Sequence, residues 1–159
     1  MSNSRTPLVD RFGADAADVE FGGDVPSVFS QLAARGSVRK FRSDAVPDPT
    51  LRRLCALALC APTKSDLQQR DIIIIDAPSL KSEIGALLAG GPLGQKWLAN
   101  VPSLLVFCGN SRRQRRIHTL RERHFANDHL DAFFNAAVDA AIALSAFVIA
   151  AEAEGLGVC

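Results

Sequence analysis

The chain has 159 residues, enough for one ordinary domain with a single buried core and too few for two. Eighteen Lys and Arg against 17 Asp and Glu leave a formal net charge of +1, so no overall field favours nucleic acid or an acidic membrane as a partner. Met1-Ser2-Asn3-Ser4-Arg5 leads into polar sequence without an apolar stretch of the secretory kind, and a cytoplasmic address is expected.

Residues 1–24 are rich in Gly, Asp, Ser and Ala and lack periodicity, which predicts a mobile or loosely draped extension. The folded part, 25–159, is expected to begin at Pro26. Val28, Phe29, Leu32 and Ala33 recur at helical spacing, and Arg35-Gly36 ends that helix. Asp48-Pro49 opens a second helix carrying Leu51, Leu54, Cys55, Leu57 and Ala58. Ala61-Pro62 closes it, because proline disfavours a helical residue before it. Gln68 and its neighbours then fall in a loop.

Ile72 to Ile75, bounded by Asp71 and Asp76, predicts a central strand buried on both faces. Pro78 to Ala89 reads as an amphipathic helix, and Gly90-Gly91-Pro92 with Gly94 breaks the chain before Gln95-Lys96-Trp97. Ser103 to Cys108 is a second apolar strand ended by Gly109-Asn110. Arg112-Arg113-Gln114-Arg115-Arg116, with Arg121 and Arg123 after it, has no zinc motif or aromatic platform beside it, and a solvated segment is expected.

Asp131 to Glu154 is the longest pattern, apolar from Ala132 to Ala151 except for Asn135, Asp139 and Ser145. Its length alone would suit a membrane span, but Asp139 would sit at mid-bilayer, alanines keep the stretch mildly hydrophobic, and no cationic flank anchors it. A long helix buried in a core or between two subunits is the better reading, ended by Gly155 and Gly157. Cys55, Cys60, Cys108 and Cys159 form no C-x-x-C pair, and His118, His124 and His129 have no ligand spacing, so no metal is expected.

Two segments carry the chemistry. Arg35-Gly36-Ser37-Val38-Arg39 places two guanidiniums and a hydroxyl on one short stretch, and guanidinium forks match phosphate oxygens in geometry as well as charge. That composition suits an anionic cofactor; the plainer alternative is a solvated basic turn. Ala61 to Gln68 supplies Thr63, Lys64 and Asp66 on a loop, where the plainer reading is an exposed polar pair.

The order of Arg35-Gly36-Ser37-Val38-Arg39-Lys40-Phe41, Ala61 to Gln68, Gly94-Gln95-Lys96 with Val106-Phe107-Cys108, and Asn135 to Ala140 ending in Glu152-Ala153-Glu154-Gly155-Leu156-Gly157 resembles the flavin-dependent nitroreductase family, in its NADPH-dependent, oxygen-insensitive branch of nitroreductases and flavin reductases. The resemblance implies an α+β, three-layer α-β-α fold with a long central buried helix, working as an intertwined homodimer with FMN at the interface. It implies that Arg35, Gly36, Ser37 and Arg39 meet the FMN phosphate and flavin edge, that Thr63, Lys64 and Asp66 reach it from the partner subunit, and that Gln95 meets the pyrimidine end. Asp66 stands where many members carry asparagine and can accept from flavin N3 without donating to O4; Gln69-Arg70 stand where Pro-Trp is common.

No protein nucleophile is expected, since a flavin carries the hydride chemistry and the protein holds it and leaves one face open. The implied activity is ping-pong: NAD(P)H, either NADPH or NADH, reduces FMN, and a small-molecule acceptor such as a nitroarene, quinone or flavin follows. The arginines at 112–116 would then attract the NADPH 2′-phosphate. A dimeric binding protein without turnover and an FMN-fragmenting enzyme of the same fold are the alternatives. Family members continue beyond the point matching Cys159 with a strand, a basic pair at the phosphate and a tail that embraces the other subunit. The chain is therefore expected to be C-terminally truncated and, alone, to bind FMN poorly.

Overall fold

Apolar spacing of 3.6 residues and runs of β-branched side chains turn into six α-helices and two strands among the described residues, which are 7–16, 19, 27–90 and 94–159 of the computed structural model. The chain divides into two compact units, residues 1–39 with 148–159, and residues 40–147.

In the first unit, α1 (Pro7–Phe12) runs into a 3₁₀ turn at Gly13–Ala16, both within the segment expected to be a mobile or loosely draped extension. The expected starting point at Pro26 lies outside the described residues. α2 (Ser27–Ala34) follows as expected. Arg11 joins the two: its guanidinium donates to the carbonyls of Leu32, Ala33 and Arg35, satisfying acceptors that the end of α2 leaves without helical partners. The last turn of α6 (Leu130–Ala153) also belongs here. Gly155 ends it at φ 76°, a left-handed position that glycine takes without penalty, and Leu156 N closes back on Ala151 O at 3.0 Å.

In the second unit, α3 (Asp48–Leu59) buries Leu51, Leu54 and Ala58 and starts with proline inside its first turn, where the missing N–H costs nothing. β1 (Arg70–Ile75) pairs antiparallel with β2 (Leu104–Gly109), from Arg70 opposite Gly109 to Ile75 opposite Leu104. This corrects the expectation of a central strand buried on both faces: among the described residues β1 has one neighbouring strand, and Ile73 is half exposed. Four isoleucines specify extended backbone, but not how many strands flank it. α4 (Pro78–Ala89) comes between the strands.

The segment expected to be solvated is a helix, α5 (Arg112–Leu120), with Arg112, Arg113, Arg115 and Arg116 exposed and Gln114 buried. Only Ile117 and Leu120 supply apolar periodicity there, too little to announce a helix from sequence. The part of α6 in this unit buries a stripe, Ala132, Ala136, Ala140, Ala143 and Phe147, while Leu130, Phe133, Phe134 and Leu144 stay exposed in the single chain. Phe107 of β2 meets Phe147 edge-on at 5.5 Å between ring centres. At Gly109 the strand presses against α6 so closely that an added Cβ would lie 2.9 Å from the backbone of Ala136.

Candidate cofactor-binding site

The basic turn begins where α2 stops. Arg35 closes the last helical turn through its N–H to Gln31 O, and its side chain donates from Nε to Glu152 Oε1 at 3.2 Å, both partners partly buried. This bond restrains the guanidinium and leaves its two terminal nitrogens without a partner among the described residues, a donor fork of the kind that suits an anion. Gly36 has open space where a Cβ would stand. Val38 N donates to Val158 O at 2.9 Å, and Gly157 lies so close to Val38 that a Cβ there would come within 3.0 Å of its side chain. Ser37 and Arg39 flank this pinned residue, exposed, with no side-chain partner among the described residues.

The second stretch is a turn under strain. Ser65, Asp66 and Gln68 adopt φ of 50°, 55° and 50°, three non-glycine residues in the left-handed region within four positions. Each such residue costs about 1 kcal/mol or more and persists only where the surroundings enforce it. The surroundings do. Asp139, fully buried on α6, accepts from Lys64 N and from Gln69 N, one carboxylate oxygen each, both at 3.0 Å. Arg70, 5% exposed, donates to the carbonyls of Leu59, Ala61 and Pro62 at 2.7, 2.6 and 3.1 Å. From α5, Gln114 donates to Leu67 O at 2.9 Å and Arg113 to Gln68 O at 3.1 Å. Within the turn, Gln68 N reaches Thr63 Oγ1 and its side-chain amide reaches Asp66 Oδ1. The result presents Lys64, Ser65 and Asp66 to solvent, with Thr63 half-buried beneath.

Gln95 is exposed and precedes a 3₁₀ turn at Lys96–Asn100 without capping it; its Oε1 accepts from the indole N–H of Trp97 at 2.6 Å, and Trp97 in turn leans on Phe41. On α5, Arg115 pairs with Asp128 through Nε and Nη2, which holds the Asp128 carboxyl below the usual carboxylate range. Arg112 and Arg116 have no side-chain partner among the described residues.

Thr63, Lys64 and Asp66 thus share one turn, and Arg35, Gly36, Ser37 and Arg39 share another, while Gln95 stands on a third segment. Sequence does not show the supporting bonds of Glu152 to Arg35, of Arg70 to three carbonyls, or of Arg113 and Gln114 to the turn, because the partners lie far apart or form no local pattern. Asp139 shows there only as an interruption; a lone carboxylate in an apolar helix was the available signal.

A model of the nitroreductase family matches residues 32–159, a span that holds both turns and Gln95. The chain belongs to that family. It is 28% identical over 134 residues to the FMN reductase [NAD(P)H] of Bacillus subtilis strain 168, covering 82% of this chain and 51% of that protein. It is similar in structure to Bacillus megaterium NfrA2, with a TM-score of 0.75 at 28% identity over 84% of this chain and 53% of the other. It is also similar to the NADPH:FMN oxidoreductase of Vibrio harveyi complexed with NAD+, with a TM-score of 0.69 at 26% identity over 83% and 54%. The chain spans about half the length of the curated relatives it matches. As a member of the nitroreductase family, it has the α+β fold expected from its motifs, with α6 as the long helix.

Proposed function

We propose that the protein carrying this chain is a cytoplasmic, homodimeric, FMN-dependent NAD(P)H oxidoreductase that reduces nitroaromatic, quinone or flavin acceptors by a ping-pong cycle, with 25–159 contributing to its flavin site. The observation that carries the reading is the basic turn: Arg35 restrained by Glu152, and Ser37 and Arg39 beside it with unengaged polar groups. This donor set fits a phosphate monoester, since two guanidiniums and a hydroxyl meet three anionic oxygens without a metal.

FMN supplies the hydride chemistry when bound. The chain's residues bind and orient: Arg35, Ser37 and Arg39 hold the phosphate, and the open space at Gly36 admits the cofactor close to the backbone. Thr63, Lys64 and Asp66 would meet the flavin from the partner subunit, where the Lys64 ammonium would stabilise negative charge on the reduced cofactor. Asp66 would accept from the flavin imide N–H, and Gln95 would contact the pyrimidine end.

The protein at its full natural length, saturated with FMN, should show the visible flavin band, and that band should bleach on adding NADPH or NADH and return on adding a quinone or nitroarene. A band that persists under excess NAD(P)H would contradict the reading and favour a binding protein without turnover.

A further inference from the structure

We propose that Arg70 and Asp139 are positioning residues of the flavin site, two buried opposite charges that clamp the same backbone segment and so hold the Thr63–Gln68 turn in its strained, cofactor-facing shape. The proposal rests on the preceding assignment of Thr63, Lys64 and Asp66 to the flavin. Neither side chain is exposed, so both act through the turn and not on the ligand.

Their division of labour follows from backbone polarity. The guanidinium takes three carbonyls on the entering side of the turn, those of Leu59, Ala61 and Pro62. The carboxylate takes two amide hydrogens, of Lys64 at the start of the turn and Gln69 just past its end. Asp139 thereby staples the two ends of the left-handed stretch to each other across Ser65, Asp66 and Gln68. A buried charge solvated by backbone dipoles keeps its energy only while those dipoles stay in place, so each clamp resists relaxation of the turn. Arg70 adds a constraint that an uncharged side chain could not supply, because only a planar fork reaches three carbonyls from one point.

The substitutions follow. In Asp139→Asn the side-chain amide can accept from one N–H, but its NH2 group faces the other, and one end of the staple opens. In Arg70→Lys a single ammonium replaces the fork. FMN affinity of the full-length protein, read by quenching of flavin fluorescence, is expected to fall about tenfold in each variant. Amide exchange at Lys64 and Gln69 should quicken in Asp139→Asn, and kcat at saturating FMN should change far less than the affinity. A merely structural role would lower the melting temperature and leave the FMN affinity of the folded fraction at the wild-type value, and that result would overturn the proposal. Should Asp139→Asn fail to fold, Arg70→Lys decides alone by the same two readouts. Lys64→Ala separates the layers: if it weakens FMN binding while both clamp variants bind as wild type, the clamp fails and the site assignment stands. If the wild-type protein does not bind FMN, both fall.

Discussion

Gly109 ends β2 where the strand meets α6, and its missing side chain is what allows the approach, since a Cβ would stand 2.9 Å from the carbonyl carbon and oxygen of Ala136. Backbone cannot rotate out of the way as a flexible side chain can, so Gly109→Ala should lower stability by about 1–3 kcal/mol in denaturant unfolding. A loss below a few tenths of a kcal/mol would show that β2 and α6 separate freely. At the same scale, sequence identified the charged residues of the basic turn but not what orients them. Arg35 was legible because its neighbours are basic and hydroxylated; Glu152, which restrains it, lies 117 positions away and carries no local signal. Cys55 is a part-buried free thiol whose pKa is pushed up by burial.

Among elements, those with strong local grammar emerged where expected. α3 starts at Asp48-Pro49 and α6 stops before Gly155, because proline at a first turn and glycine past a last turn are chemical necessities that sequence displays openly. β1 was legible as a strand, but its surroundings were not, since strand neighbours are a property of tertiary pairing. α5 was missed because its inward-facing residue is Gln114, a polar side chain buried to bond Leu67 O, which apolar periodicity cannot register.

The structure also divides the arginines of α5. Arg113 and Arg115 are engaged with Gln68 O and Asp128, whereas Arg112 and Arg116 have no side-chain partner among the described residues and are exposed. If the helix attracts the 2′-phosphate, the two unengaged arginines carry the effect. In the full-length enzyme, Arg112→Ala with Arg116→Ala should raise the KM for NADPH about fivefold, roughly 1 kcal/mol, and leave that for NADH within twofold. Added salt should shrink the difference. Equal changes for both nucleotides would remove α5 from cofactor discrimination.

For the whole molecule, the match to the nitroreductase family over residues 32–159 includes both turns. One turn offers unspent donors for an anion; the other is held under strain by buried charges. The exposed Leu130, Phe133 and Phe134 of α6 leave an apolar surface of the kind that a homodimer covers. The most direct test is titration of the flavin-free, full-length protein with FMN, comparing wild type with Arg39→Ala. Saturable binding by the wild type, weakened about tenfold by the substitution, is expected for a phosphate gripped by the basic turn. Equal affinities in the two proteins, or no saturable binding in either, would contradict it.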